Sequence, residues 1–239
     1  MTDDAVTRRN LLAGAGATAA GGLLVVGLPD PAQAQRRPRL VGAGPTDRHG
    51  IGIICRIDQV GRSFTAIGYL TRVRGLANSA LFTRAPARST NDPRSADSTP
   101  ARLTLHSQTE IQSLSTVGDV ITTIASGSIR FFHQAAGGAR FDNPGSFAQG
   151  TEVASLRGTF QTNLALDAPN QAGVALTSDL TQARARTFSI GGRRVRVGDR
   201  RLPWQLYATG RGHRTEPTTP RAQFFLTGEL GVVDAERPR

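Results

Sequence analysis

The 239-residue sequence predicts an all-β fold: a single antiparallel β-barrel-like domain, with a β-sandwich as the alternative, behind an N-terminal targeting segment. Three observations carry that prediction. Apolar and polar residues alternate with a period of two through segment after segment, which is the pattern of strands with one face buried. No sustained helical period appears. Nine or ten strands within one domain-sized chain are relieved of exposed edges most economically by closure into a barrel.

Residues 1–34 stand apart from the rest. Thr7-Arg8-Arg9-Asn10-Leu11-Leu12 resembles the twin-arginine export consensus: a hydroxyl residue, two arginines, a variable residue and two apolar ones. A weakly apolar, Gly/Ala-rich stretch follows. It ends in Ala32-Gln33-Ala34, an A-x-A site of the kind signal peptidases cut, which puts cleavage before Gln35. The stretch is too short and too rich in Gly, Ala and Thr for a membrane anchor, which needs roughly 20 apolar residues. The resemblance implies an export translocase as a partner, no stable membrane span, and a secreted or cell-envelope location.

Removal of residues 1–34 leaves 205 of the 239, enough for one domain. All 29 basic side chains are arginine, and the net charge is +11. The first 34 residues hold Arg8 and Arg9 against Asp3, Asp4 and Asp30, so the remainder carries +12. Such a charge favours contact with anionic surfaces. The total absence of lysine points to a coding bias as the source of much of it. The lone Cys55 excludes an intramolecular disulfide, and in Ile53-Ile54-Cys55-Arg56-Ile57 it reads as a small buried apolar residue.

Along the remaining chain, residues 35–49 are Pro/Arg/Gly-rich and read as a flexible tether, residues 50–234 as the all-β domain and residues 235–239 as a tail. Phe64, Ala66, Gly68 and Leu70 form the first clear inward row. Residues 84–100, rich in Pro, Ser and Asp, read as a long exposed loop. Ala101, Leu103 and Leu105 form another row, and residues 110–134 are strand on their Thr/Ile content. Asn143-Pro144-Gly145 suits a type II turn. Leu156, Gly158, Phe160, Thr162, Leu164 and Leu166 form a third row, and residues 167–173 a connection. Gly191-Gly192 fits a two-residue hairpin turn, pairing Ile190 with Arg193, Ser189 with Arg194, Phe188 with Val195 and Thr187 with Arg196. That register puts Phe188 and Val195 on the apolar face and Arg194 and Arg196 on the wet one, with Arg186 facing inward opposite Val197. Leu202, Trp204, Leu206 and Ala208, then Ala222, Phe224, Leu226, Gly228, Leu230 and Val232, complete the inward rows. Phe64 to Leu70 and Phe224 to Leu230 share F-x-x-x-G-x-L, with a mid-strand glycine where a curving sheet is crowded.

Motifs of known chemistry are missing: no G-x-S-x-G elbow, H-E-x-x-H, P-loop or C-x-x-C occurs, so no cofactor is implied. The histidines His49, His106, His133 and His213 have no metal-ligand spacing, and no metal site is expected. Two stretches contain candidate binding residues. In residues 130–152, Arg130, His133, Arg140, Asp142 and Glu152 lie among four phenylalanines and are candidates for lining a pocket mouth. In residues 184–214, nine arginines face only Asp199. Arg194, Arg196, Arg200 and Arg201, with Trp204 as a stacking platform, are candidates for an anionic polymer.

The functional expectation is an exported binding module for a small apolar ligand or an anionic envelope component. The alternatives are a cofactor-free enzyme (isomerase, cyclase or hydrolase) with its site at the barrel mouth, or a structural envelope protein; fold alone does not separate these, and nothing in the pattern sets an oligomeric state. Replacing Arg8 and Arg9 by lysine is expected to leave uncleaved precursor inside the cell, read by fractionation and immunoblotting. Unchanged export would exclude the twin-arginine route.

Overall fold

The computed structural model describes residues 38–42, 50–86, 97–216 and 221–233. The stretch read as an export signal, most of the stretch read as a tether and most of the loop at 84–100 lie outside them. The described strands are β1 (Arg39–Val41), β2 (Ile51–Val60), β3 (Ser63–Val73), β4 (Leu103–Val117), β5 (Val120–His133), β6 (Thr151–Ala168), β7 (Gln171–Ala185), β8 (Thr187–Ile190), β9 (Arg193–Val197), β10 (Pro203–Glu216) and β11 (Arg221–Val232). Eight of them close an antiparallel barrel in the order β10-β11-β2-β3-β4-β5-β6-β7, so the fold is the barrel and not the sandwich. Closure comes from β7 pairing with β10, Leu180 opposite Trp204 and Leu176 opposite Ala208.

The predicted inward rows fill the barrel. β7 shows the rule most clearly: Ala172, Val174, Leu176, Ser178, Leu180 and Gln182 are buried and their neighbours are not. The two glycines of the F-x-x-x-G-x-L echo sit where strands approach too closely for a side chain. A Cβ on Gly68 would lie 2.1 Å from the Ile54 carbonyl oxygen, and one on Gly228 2.5 Å from that of Tyr207. These two strands flank β2, antiparallel to it on either side.

The two ends of the barrel differ. At one, adjacent strands turn tightly at Gly61-Arg62, Gly118-Asp119 and Pro169-Asn170. Gly61, Gly118 and Asn170 take the positive φ these short turns require. The connection expected over residues 167–173 is therefore only two residues long, because β6 and β7 run further than the turn-like composition suggested. At the other end the connections are long, and they cover it.

That cover includes a three-stranded sheet, β1-β9-β8. The Gly191-Gly192 hairpin has the expected register throughout, Thr187 opposite Arg196 to Ile190 opposite Arg193, with φ of 56° and 73° at the two glycines. Three details differ from expectation. Val197 pairs with Val41 of β1, so Arg39–Val41, within the stretch read as a tether, is a strand held in parallel to β9. Arg186 precedes the hairpin pairing and is exposed rather than inward. Arg196 is half-buried and donates to Asp199 at 3.1 Å, so it is not a free surface cation.

Trp204 and Gln182 seal the barrel beneath this sheet. The Trp204 indole N–H donates to Gln182 Oε1 at 3.0 Å, and Gln182 Nε2 donates to the Val197 carbonyl at 2.7 Å. Both side chains are about 1% exposed with their polar atoms paired, as burial requires.

A second apolar cluster lies on the outside of the wall. Ile67 and Tyr69, on the outward face of β3, are covered by Phe141, Phe147 and Ala139 from the β5–β6 connection and by Ala101. Asn143-Pro144-Gly145 does not make the expected type II turn. Pro144 opens a 3₁₀ helix (Pro144–Ala148), where its fixed φ and missing N–H suit the first turn, and Gly145 has no positive φ. The helix α1 (Asn78–Leu81) and buried Ser98, whose hydroxyl donates to the Ala139 carbonyl, complete this layer. The end of the loop expected to be exposed is thus packed against the barrel.

The hairpin gives a direct test of this packing. Val195 is fully buried while neighbouring Arg193 is exposed. Val195→Ser is expected to cost roughly 2–3 kcal/mol of unfolding free energy through lost packing and a buried hydroxyl, and Arg193→Ser less than about 0.5 kcal/mol. Chemical denaturation of both variants checks it, and the reverse order would mean the hairpin is packed the other way up.

Candidate functional site

Two spaces among the described residues lie within the barrel. The larger is a cup of about 370 Å³ open at the tight-turn end, within the roughly 300–1,000 Å³ range of small-molecule sites. The smaller is an inner chamber of about 60 Å³, lined by Ile53, Cys55, Leu105, Ser107, Ile129 and Leu176 among others. Among the described residues only Phe64 and Phe224 line both. Their rings meet edge to face, centroids 6.3 Å apart, and form a floor to the cup.

The cup is built from the last inward positions of each strand before the turns. Ile121, Leu164, Leu166 and Ala222 supply apolar wall. Thr123 adds a hydroxyl: its side chain is 3% exposed and its Oγ1 has no hydrogen-bond partner. The mouth carries Gln59, Asn170, Gln171, His213, Arg214 and Arg221, and among the described lining residues there is no carboxylate. Arg214 continues the inward row of β10 beyond Gly210 and Gly212, and its side chain is exposed at the mouth. Arg221 is bridged to Glu216 at 3.0 Å, which leaves Arg214 as the principal source of positive charge at the opening.

The residues singled out between 130 and 152 do not converge on either space. Arg130 points outward, donating to His106 Nδ1 at 3.3 Å with its guanidinium 5.6 Å from the centre of the Phe132 ring. The His133 ring packs 5.1 Å from that of Phe188. Arg140 and Asp142 form an exposed pair, Nε to Oδ1 2.9 Å, whose hydrogen bond holds the Asp142 carboxyl below its usual range. Glu152 is bridged to Arg184 at 3.1 Å. They form separate local contacts on the wall and around the covered end.

The arginine-rich candidates are also divided. Arg194, Arg200 and Arg201 are exposed, whereas Arg196 is tied to Asp199. Trp204 is not a stacking platform; it is a core residue whose alternation placed it correctly inside. Cys55 is buried as expected, and desolvation pushes its thiol up to about 12, which makes it a poor nucleophile. Among the described residues no group of three or more His, Cys, Asp or Glu could hold a metal ion, and no helix is long and apolar enough to cross a membrane.

Of the cup residues, Thr123 was not singled out by sequence, while Arg214 lay in the arginine-rich stretch and His213 among the four histidines, neither as a pocket residue. Two of its residues did leave a signal: Phe64 and Phe224 occupy the same place in the F-x-x-x-G-x-L echo, and the two parallel strands flanking β2 carry these rings two residues apart in its register, Phe64 opposite Gln59 and Phe224 opposite Ile57. No protein-family model, curated protein or solved structure matches this chain.

His106 and His133 are both held below the usual imidazole range, by burial first and then by the charges of Arg130 and Arg102 respectively. In the unfolded chain they titrate near pH 6.5. Above that value both states are neutral and the full stability is present. As pH falls from about 6.5 through the lower folded values, the unfolded chain takes up protons first and stability declines. Denaturation midpoints measured from pH 7.5 to 5 are expected to fall, less steeply in His133→Asn; a flat profile in the parent protein would rule out this coupling.

Proposed function

We propose that this chain is an exported binding module that takes a small, largely apolar molecule with an acidic end into the cup. The cup itself carries the proposal: an apolar-walled space open to solvent, with Arg214 and His213 at its mouth and no carboxylate among its described lining. An acidic end group held at the mouth meets a guanidinium suited to carboxylate geometry, while its apolar part is removed from water against Phe64, Phe224 and Leu164. Thr123 Oγ1 offers one further hydrogen bond within the wall.

The enzyme reading has less support. Acid–base chemistry needs a pair of groups with separated proton affinities around one reacting atom, and among its described lining residues the cup provides one imidazole and no carboxylate. The exposed guanidiniums of Arg193, Arg194, Arg200 and Arg201 support a second contact, with an anionic envelope polymer at the covered end. Export itself is supported by the pattern around Arg8 and Arg9 and by the A-x-A site at residues 32–34.

Titration of the purified protein with the anionic apolar fluorophore 1-anilinonaphthalene-8-sulfonate is expected to show saturable binding that octanoate displaces. Ala222→Trp, which fills the cup, is expected to abolish it, and Arg214→Glu to weaken it by about tenfold, the size of a lost charge-assisted contact. Unaltered binding in a folded Ala222→Trp variant would place the site elsewhere.

A further inference from the structure

We infer that the Phe64–Phe224 pair acts as a length gauge: it fixes how far an apolar chain can enter the cup, and behind it the inner chamber is reserve space that a longer chain reaches only if a ring moves. This rests on the binding reading above and adds to it the shape of the ligand, an unbranched chain lying along the barrel axis.

Three observations carry it. Among the described residues the two rings alone are shared by both spaces, which makes them the partition between them. The partition is an edge-to-face contact between two side chains, with no backbone in it, so the barrier is a matter of rotamers rather than of fold. The Phe224 ring also lies against Gly212 of the neighbouring strand, where a Cβ would sit 2.1 Å from its Cδ1. Gly212 thus provides the room in which the ring lies across the barrel. The chamber beyond continues the same axis and is walled mainly by aliphatic side chains, so a chain that passed the rings would meet apolar surroundings.

The geometry also restricts width. An interior of eight strands is just wide enough to be filled by its own side chains or to hold one small ligand, and here much of it is filled. A branched or polycyclic body could occupy the cup but could not follow the axis past the rings. A linear chain can.

The test is the affinity of straight-chain alkanoates of increasing length, from hexanoate to hexadecanoate, measured by calorimetry on the full-length protein as purified and on variants. In the parent protein affinity is expected to rise about fourfold per methylene, the value of one buried CH₂, up to a break length and then to level off. In Phe64→Ala or Phe224→Ala the rise is expected to continue, so that a chain two carbons past the break binds roughly fifteenfold tighter than it does to the parent. Should either alanine variant fail to fold, Phe64→Leu and Phe224→Leu keep most of the buried volume while removing the ring, and are expected to shift the break in the same direction by less. Gly212→Ala, which displaces the Phe224 ring, is expected to move the break without touching any group at the mouth. If alkanoates bind the parent with a break that stays in place in every folded variant, the rings are not the gauge, although the cup remains a site. If no alkanoate binds the parent at all, the reading of the cup itself fails, and the length gauge with it.

Discussion

Closure of eight strands on themselves is the constraint from which the rest follows. Once β7 pairs with β10, the inward rows share one narrow cylinder, and each position must suit the radius available to it. In the middle the strands approach so closely that a Cβ on Gly68, Gly127, Gly158 or Gly210 would lie within about 2 Å of a carbonyl oxygen across the strand pair. Only glycine fits there. Large side chains are accommodated towards the covered end, where Trp204, Phe131 and Leu103 fill the section completely. Towards the tight turns, Ala222, Ala172 and Gly212 replace such bulk, and the cup is the space that remains.

The polar groups follow the same division. At the covered end the buried amide of Gln182 and indole of Trp204 are paired with each other and with the Val197 carbonyl, so their desolvation is compensated. At the open end the inward row of β10 finishes in Arg214, and Thr123 keeps an unpaired hydroxyl. A charged side chain at the end of an inward row is tolerable only where it reaches solvent or a counter-charge. The mouth provides the first, and an acidic ligand would provide the second. Elsewhere several arginines are held in exposed pairs such as Arg72–Glu229 and Arg211–Asp167, which screening by solvent makes weak.

Much of this was legible in the sequence, and the pattern of success has a physical cause. Period-two alternation reports which face of a strand is buried, and it placed Leu206, Phe160 and Phe224 inside. Gly-Gly between alternating segments reports a turn type, and so gave the hairpin register residue by residue. Neither signal reports which strands meet across the barrel or what lies outside it. For that reason β7 pairing with β10 past the β8–β9 hairpin, the strand at Arg39–Val41 and the apolar cover over Ile67 and Tyr69 were not anticipated. The same limit bears on the candidate residues. Arg130, His133, Arg140, Asp142 and Glu152 are close in sequence, but a strand sends successive residues to opposite faces and a long connection carries the rest away, so nearness along the chain did not become convergence. Residues that do line one space, Phe64, Thr123, Leu164 and Arg214, come from four strands spread over most of the domain.

The inner chamber bears on how the interior is used. A void of about 60 Å³ costs roughly 1.5 kcal/mol at the usual penalty per unit of cavity volume, a noticeable share of a domain stability of about 5–15 kcal/mol. Its lining includes Ala66, Ala125 and Ala208, three inward positions at which a larger aliphatic side chain would occupy the space. The neighbouring positions Leu105, Ile129 and Leu176 show that such side chains are accepted at this level of the barrel. Smallness at the alanines is therefore not imposed by closure in the way that it is at Gly68 or Gly158, where backbone stands in the way. The glycines answer to the geometry of the fold, while the alanines keep open a space that the fold does not require, directly behind the two rings that close off the cup.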